Sequence, residues 1–216
     1  MGAPQALIRD LYGKIDDIAP ERRALALRHL TDLFLVGAEQ YSAADIALID
    51  DIFVRLIESI DDSARALLAI RLGPVAKAPP KLLHRLACDD LIDVASTVLT
   101  QSEGLDDATL VECAVTKSQD HMLAISQRKT LSEMVTDVLV ECGDRDVVLS
   151  TARNAGARFS KNGYGILVYI AEIIVFCGKV KFACRKLTNR QNKRQPFLQK
   201  CGRFGIRGNF RYRLAL

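Results

Sequence analysis

Three histidines, six cysteines and 26 acidic residues are the groups in this 216-residue chain that could ligate a metal or move a proton. Metal chemistry needs them clustered at spacings that converge on one ion. His29, His84 and His121 stand far apart, and Cys88, Cys113, Cys142, Cys177, Cys184 and Cys201 include no Cys-x-x-Cys. Spacing along the chain therefore predicts neither a structural metal nor a cofactor. Single cysteines on apolar faces, such as Cys113 and Cys142, read as small core residues rather than nucleophiles. The sequence holds no His-Glu-x-x-His, Walker-type loop, dinucleotide fingerprint or Gly-x-Ser-x-Gly. The glycines of 202–208 lack the strand and helix that a phosphate cradle requires. No catalytic residue emerges, and the chain reads as non-enzymatic.

Two polar groups remain as candidates for binding. His121, Arg128, Asp144, Arg145 and Asn154 would lie near one another if successive helices stack, so His121, Arg128, Arg145 and Asn154 are expected as a partner-binding set. The plainer reading gives them capping work: Asp144 at a helix start, Asn154 before a glycine, and Arg128 on helix carbonyl ends. The second group is the tail. From Cys177 onward there are 12 Lys and Arg and no acid, with aromatics interspersed. Cations attract phosphates and aromatic faces stack on bases, so Arg203, Phe204, Arg207, Phe210, Arg211, Tyr212 and Arg213 could hold single-stranded nucleic acid. The competing reading folds this tail back on the chain's own acidic body, because residues 1–160 sum to −8 and residues 161–216 to +12.

The elements that must position these residues read as helix after helix. In 42–60, Ile46, Ile49, Phe53, Leu56, Ile57 and Ile60 recur at three- and four-residue spacings and make one apolar stripe. Ser42 can cap that helix with Asp45 three residues on. An earlier helix over 22–38 is apolar on more than one side, with Pro20 tolerated in its first turn. Further helices are expected near 62–72, 80–87, 90–100, 106–117, 121–127, 131–142, 144–154 and 161–171. Gly73-Pro74 and Pro79-Pro80 punctuate them, Thr130 and Glu133 have capping-box spacing, and Gly156 could supply a left-handed residue after a helix. Nothing alternates with period two, so the class is all-α. Similar starts at Asp61-Asp62, Asp89-Asp90, Gln119-Asp120 and Gly143-Asp144 suggest degenerate helical repeats, each burying its apolar face only by stacking on its neighbours.

The stretch from His121 through Ser126-Gln-Arg-Lys-Thr-Leu-Ser132, then Val135 to Asp144, Asn154-Ala-Gly-Ala-Arg-Phe-Ser160 and Gly163-Tyr164, resembles an uncharacterised, mostly alphaproteobacterial family of HEAT-like helical-repeat proteins. The motif-bearing likeness runs from about Leu86 to Val168. It implies an α-α superhelix of stacked helix pairs, with no catalytic residues to carry over. After Leu167-Val168 the chain turns to an apolar run and then a basic one, as a divergent C-terminus or an altered reading frame would produce. The expected organisation is a HEAT-like domain over 1–168 and an apolar, then basic, extension over 169–216.

The resulting expectation is an interaction module for a protein or peptide partner, with nucleic-acid binding through the tail as the alternative. Self-association is open to it, since the exposed ends of a solenoid can pair. The N-terminus lacks the basic and apolar regions of a signal peptide, and no run reaches the roughly 18–20 apolar residues of a membrane span. Reduced thiols in a cytoplasmic protein are expected. Residues 164–177 are too short a window for comfortable spanning, so a buried helix is favoured there over a membrane contact, although the basic flank from Lys179 would suit anionic lipid.

Overall fold

The computed structural model describes residues 19–37 and 40–171, together with Gly13. Among these residues the chain is helical nearly throughout: α1 (Pro20–Gly37), α2 (Ala43–Ile57), α3 (Asp62–Leu72), α4 (Pro80–Ala87), α5 (Ile92–Gln101), α6 (Asp107–Thr116), α7 (Gln119–Ser126), α8 (Glu133–Cys142) and α9 (Arg145–Arg153). A further helix, α10, covers 161–171. The only β-type pairing among the described residues is an isolated bridge between Leu131 and Ala157. The fold is all-α, as the three- and four-residue periodicity predicts.

One compact unit reaches to Tyr164, and a second begins at Gly165, of which the described part is helical. Within the first unit α1, α3, α5, α7 and α9 pack successively on one another. The even helices lie beside them, α2 against α4 and α6 against α8, and the two series meet where sequence neighbours pack. This is the arrangement of an α-α superhelix. Its cause is the length of the pieces: helices of 8 to 18 residues are marginal alone and gain their stability by burying an amphipathic face. One continuous apolar core accordingly runs from Leu27 and Phe34 through Ile52, Leu86, Val98 and Cys113 to Val147. Phe34 and Phe53 meet edge to face in it, with centroids 6.3 Å apart.

The repeated acidic starts fall on one layer. Asp61 caps α3 by accepting from Ala64 N–H at 2.7 Å. Asp89 takes Leu91 N–H just ahead of α5, and Asp144 caps α9 through Asp146 and Val147 N–H. At α7 the N-cap residue is Ser118, whose hydroxyl turns to the His121 ring rather than to a backbone N–H. The Ser42–Asp45 capping box at α2 forms in both directions.

Two local expectations are corrected. Ser132, not Thr130, heads α8, accepting from Val135 N–H, so the Thr130–Glu133 box does not form. Gly156 is not left-handed; it is required because a Cβ there would stand 1.9 Å from the Lys129 carbonyl oxygen. That close approach carries the Leu131–Ala157 bridge, closed by Leu131 N–H to Gly156 O and Arg158 N–H to Leu131 O.

The start of α4 is capped from another helix. Pro79 has no side-chain acceptor to offer, and Asp50 of α2 accepts from Lys81 N–H and Leu82 N–H, both at 2.8 Å. Asp50 is 1% exposed. Burial pushes its carboxyl above the ordinary range, against the opposing pull of those two backbone bonds.

Candidate functional site

The odd helices carry polar ties at both ends, and the sequence-nominated residues belong to these ties. At the carbonyl ends, Arg128 lies two residues past α7. Its Nη1 donates to Leu99 O and its Nη2 to Ser102 O, each at 2.6 Å, which satisfies the end of α5. Asn154, one residue past α9, repeats the device on α7. Its Nδ2 donates to Ser126 O at 2.8 Å and Arg128 O at 2.7 Å, while its Oδ1 accepts from Gly156 N–H. Ser126 and Ser150 hydroxyls join α7 to α9 at 2.6 Å. Burial lowers the Arg128 pKa without making it a neutral group at ordinary pH.

At the opposite ends, His121 is 1% exposed. Its Nδ1 lies 2.8 Å from Ser118 Oγ and its Nε2 2.9 Å from Asp89 O, so the ring ties α7 to the residues before α5. Gln119 extends the tie to α9, donating to Cys142 O and accepting from Asp144 N–H. Arg65 Nε lies 2.9 Å from Asp89 Oδ2, an ion-pair distance without hydrogen-bond alignment.

The structure therefore brings Arg128 and Asn154 together and leaves His121 and Arg145 apart from them. The expected convergence of all four fails for a geometric reason. Odd helices tied start to start and end to end run parallel, so residues at helix starts collect at one end of the layer and residues past helix ends at the other. An eight-residue helix such as α7 separates the two by roughly 12 Å. Arg145 is exposed at the first position of α9.

Beside Arg128 and Asn154 an open groove of about 640 Å³ runs between α7 and α9. Half-buried Leu123 and Leu149 line it, together with exposed Gln127, Lys129, Asp146 and Arg153. Because Arg128 and Asn154 already use their polar atoms on the backbone, the groove offers a ligand mainly the exposed side chains of Gln127, Lys129, Asp146 and Arg153.

A second constellation was not nominated from the sequence. His84 Nε2 of α4 lies 3.2 Å from Glu112 Oε2 of α6. Cys88 Sγ, at the C-cap of α4, shares this site, with one ligand atom from each of the three residues within 4.8 Å of the others. Cys113 Sγ lies 2.9 Å from Cys88 Sγ. Cys113 is a core residue as expected, and burial raises its thiol pKa further with help from the hydrogen bond to Cys88. Cys142 differs from expectation: it is exposed, because it ends α8 beyond the packed turns. The local signal that could have found the cluster is His84-x-x-x-Cys88, an i, i+4 pair on one helix face.

Arg203, Phe204, Arg207, Phe210, Arg211, Tyr212 and Arg213 lie outside the described residues, as does most of the expected extension 169–216. Among the described residues no helix is long and apolar enough to cross a membrane.

No curated protein and no solved structure matches this chain. The helices from α5 onward do carry a family likeness, and it continues past Val168, where the sequence motifs stop. Residues 94–174 match the model of a bacterial family described as an uncharacterised protein conserved in bacteria, DUF2336, and it is to this family that α5–α10 are similar.

Proposed function

We propose that this chain is a HEAT-like, non-enzymatic interaction module of the bacterial cytoplasm that binds a protein or peptide partner in the groove between α7 and α9. The observation that carries the reading is the groove itself: an open trough with an apolar pair, Leu123 and Leu149, beside the exposed cations Lys129 and Arg153. The groove's exposed charges are two cations and the acid Asp146, a net positive lining that suits a peptide placing an apolar side chain and a carboxylate side by side, with the carboxylate at the Lys129 and Arg153 end. Parallel stacked helices supply a rigid wall, so a ligand meets a surface already formed and little ordering entropy is lost.

The test uses the full chain with an affinity tag, in a lysate of the organism that encodes it and at physiological salt. A partner retained by the parent and lost from a Lys129→Glu, Arg153→Glu double variant of unchanged melting temperature supports the reading. Equal retention by both moves the site elsewhere, and no retained partner with protein in excess refutes the module. The basic tail carries the second reading, binding of single-stranded nucleic acid by cations and aromatics after Cys177. Binding of an oligonucleotide by the full chain that does not weaken as salt rises removes that alternative.

A further inference from the structure

We propose that His84, Cys88 and Glu112 form a binding site for a zinc-class divalent metal that clamps α4 to α6. The donor atoms come from two helices that belong to successive helix pairs. His84 and Cys88 are one turn apart on α4, so their side chains project from the same face. Glu112 approaches from α6 and already touches the imidazole at 3.2 Å. The three ligand atoms lie within 4.8 Å of one another. A tetrahedral zinc with bonds of about 2.0–2.3 Å requires its ligands roughly 3.3–3.8 Å apart. Small side-chain rotations close the difference, and two of the three residues need only shift around a contact that exists.

The donor set selects the metal class. One imidazole nitrogen, one thiolate and one carboxylate suit zinc and its neighbours, whereas magnesium and calcium prefer all-oxygen shells. Access is available, because His84 and Cys88 are half-buried and Glu112 is exposed. Cys113 is placed to support the site rather than to ligate it. It is fully buried, also contacts Ala87 O, and sits within hydrogen-bond distance of Cys88 Sγ, where its S–H can steady a metal-bound thiolate. Lys117, the nearby cation, is held 2.6 Å from Asp90. On binding, the metal replaces the Cys88 thiol proton, which passes to solvent, and three protein ligands leave one coordination position for water.

The experiment titrates full-length protein, kept reduced with a phosphine, with cobalt(II) alone and then with zinc. The expected result is a thiolate-to-cobalt charge-transfer band with the visible absorption of a tetrahedral ion, saturating at one equivalent and removed by zinc. Cys88→Ser should abolish the band. His84→Gln and Glu112→Gln should each weaken binding about tenfold or more. Cys142→Ser should retain the band. At one fixed zinc concentration the melting temperature of the parent should rise by more than that of His84→Gln, which reads the site even where a cysteine variant folds poorly. Absence of the band in the parent, its survival in Cys88→Ser, or its loss in Cys142→Ser would overturn the assignment. So would a Cys88–Cys113 disulfide in protein isolated without oxidant, since that bond consumes the proposed thiolate.

Discussion

Asn154 offers the sharpest quantitative test of how the layer is held together. Asn154→Ala removes three hydrogen bonds at once: those to Ser126 O and Arg128 O, and that from Gly156 N–H. A net value near 1 kcal/mol each, discounted because the residue is half-buried, gives a loss of about 2–3 kcal/mol. For a chain of this size that lowers the melting temperature by roughly 4–12 °C. Asn154→Asp separates the donor from the acceptor. It keeps an oxygen for Gly156 N–H but points carboxylate at two carbonyl oxygens, so at neutral pH it should cost at least as much as alanine. Those oxygens raise the carboxyl pKa in the folded state. Its stability contribution is then full below the unfolded value of about 3.9 and is lost as pH rises through the folded one, so the aspartate variant should gain on the alanine variant in acid. Urea unfolding followed by far-ultraviolet circular dichroism from pH 4 to 8 measures both. An alanine variant within about 0.5 kcal/mol of the parent, the ordinary range for a surface change, would refute the reasoning and free Asn154 for a ligand.

The cap on α4 yields a second prediction: Asp50→Ala should cost about 2–4 kcal/mol by urea unfolding, since two backbone N–H groups lose their acceptor. Burial raises the Asp50 pKa, so its contribution is largest below the unfolded value of about 3.9 and declines as pH rises through the folded one; Asp50→Asn should flatten that part of the stability profile. Gly156→Ala should destabilise by more than about 2 kcal/mol in the same assay, because the new Cβ cannot share space with Lys129 O. The Asp90–Lys117 pair, 2.6 Å apart, lowers the carboxyl pKa and raises that of the amine, chiefly through their hydrogen bond. Its contribution should be present between the two titrations, vanish at either extreme, shrink with added salt, and disappear in Lys117→Met when melting temperature is followed against pH.

Helix positions were legible because their signals are local. Ser42, Asp61 and Asp144 announce starts through side chains that reach only three residues ahead, and 62–72 and 80–87 carry their own breakers. The acidic starts even betrayed the layer, since Asp61, Asp89 and Asp144 all stand at or just before odd helices. Arg128 could be read as a binder of helix carbonyls, but which carbonyls depends on stacking register, and they lie 26 and 29 residues upstream. The same register hid the metal-type cluster. Cys88 and Cys113 are 25 residues apart in sequence and adjacent in space, a relation that spacing along one helix does not encode. Thr130 misled because capping-box spacing is also satisfied by chance, and Ser132 lay closer to the first turn.

The carbonyl-end ties also set an order of events on the ribosome. Leu99 O waits for a guanidinium 29 residues later, and Ser126 O for an amide 28 residues later. At roughly 5–20 residues per second, the residue that closes the final turn of α5 or α7 is added about one to six seconds after that turn is synthesised. Each rung is thus finished by its successor, which favours sequential rather than collective maturation.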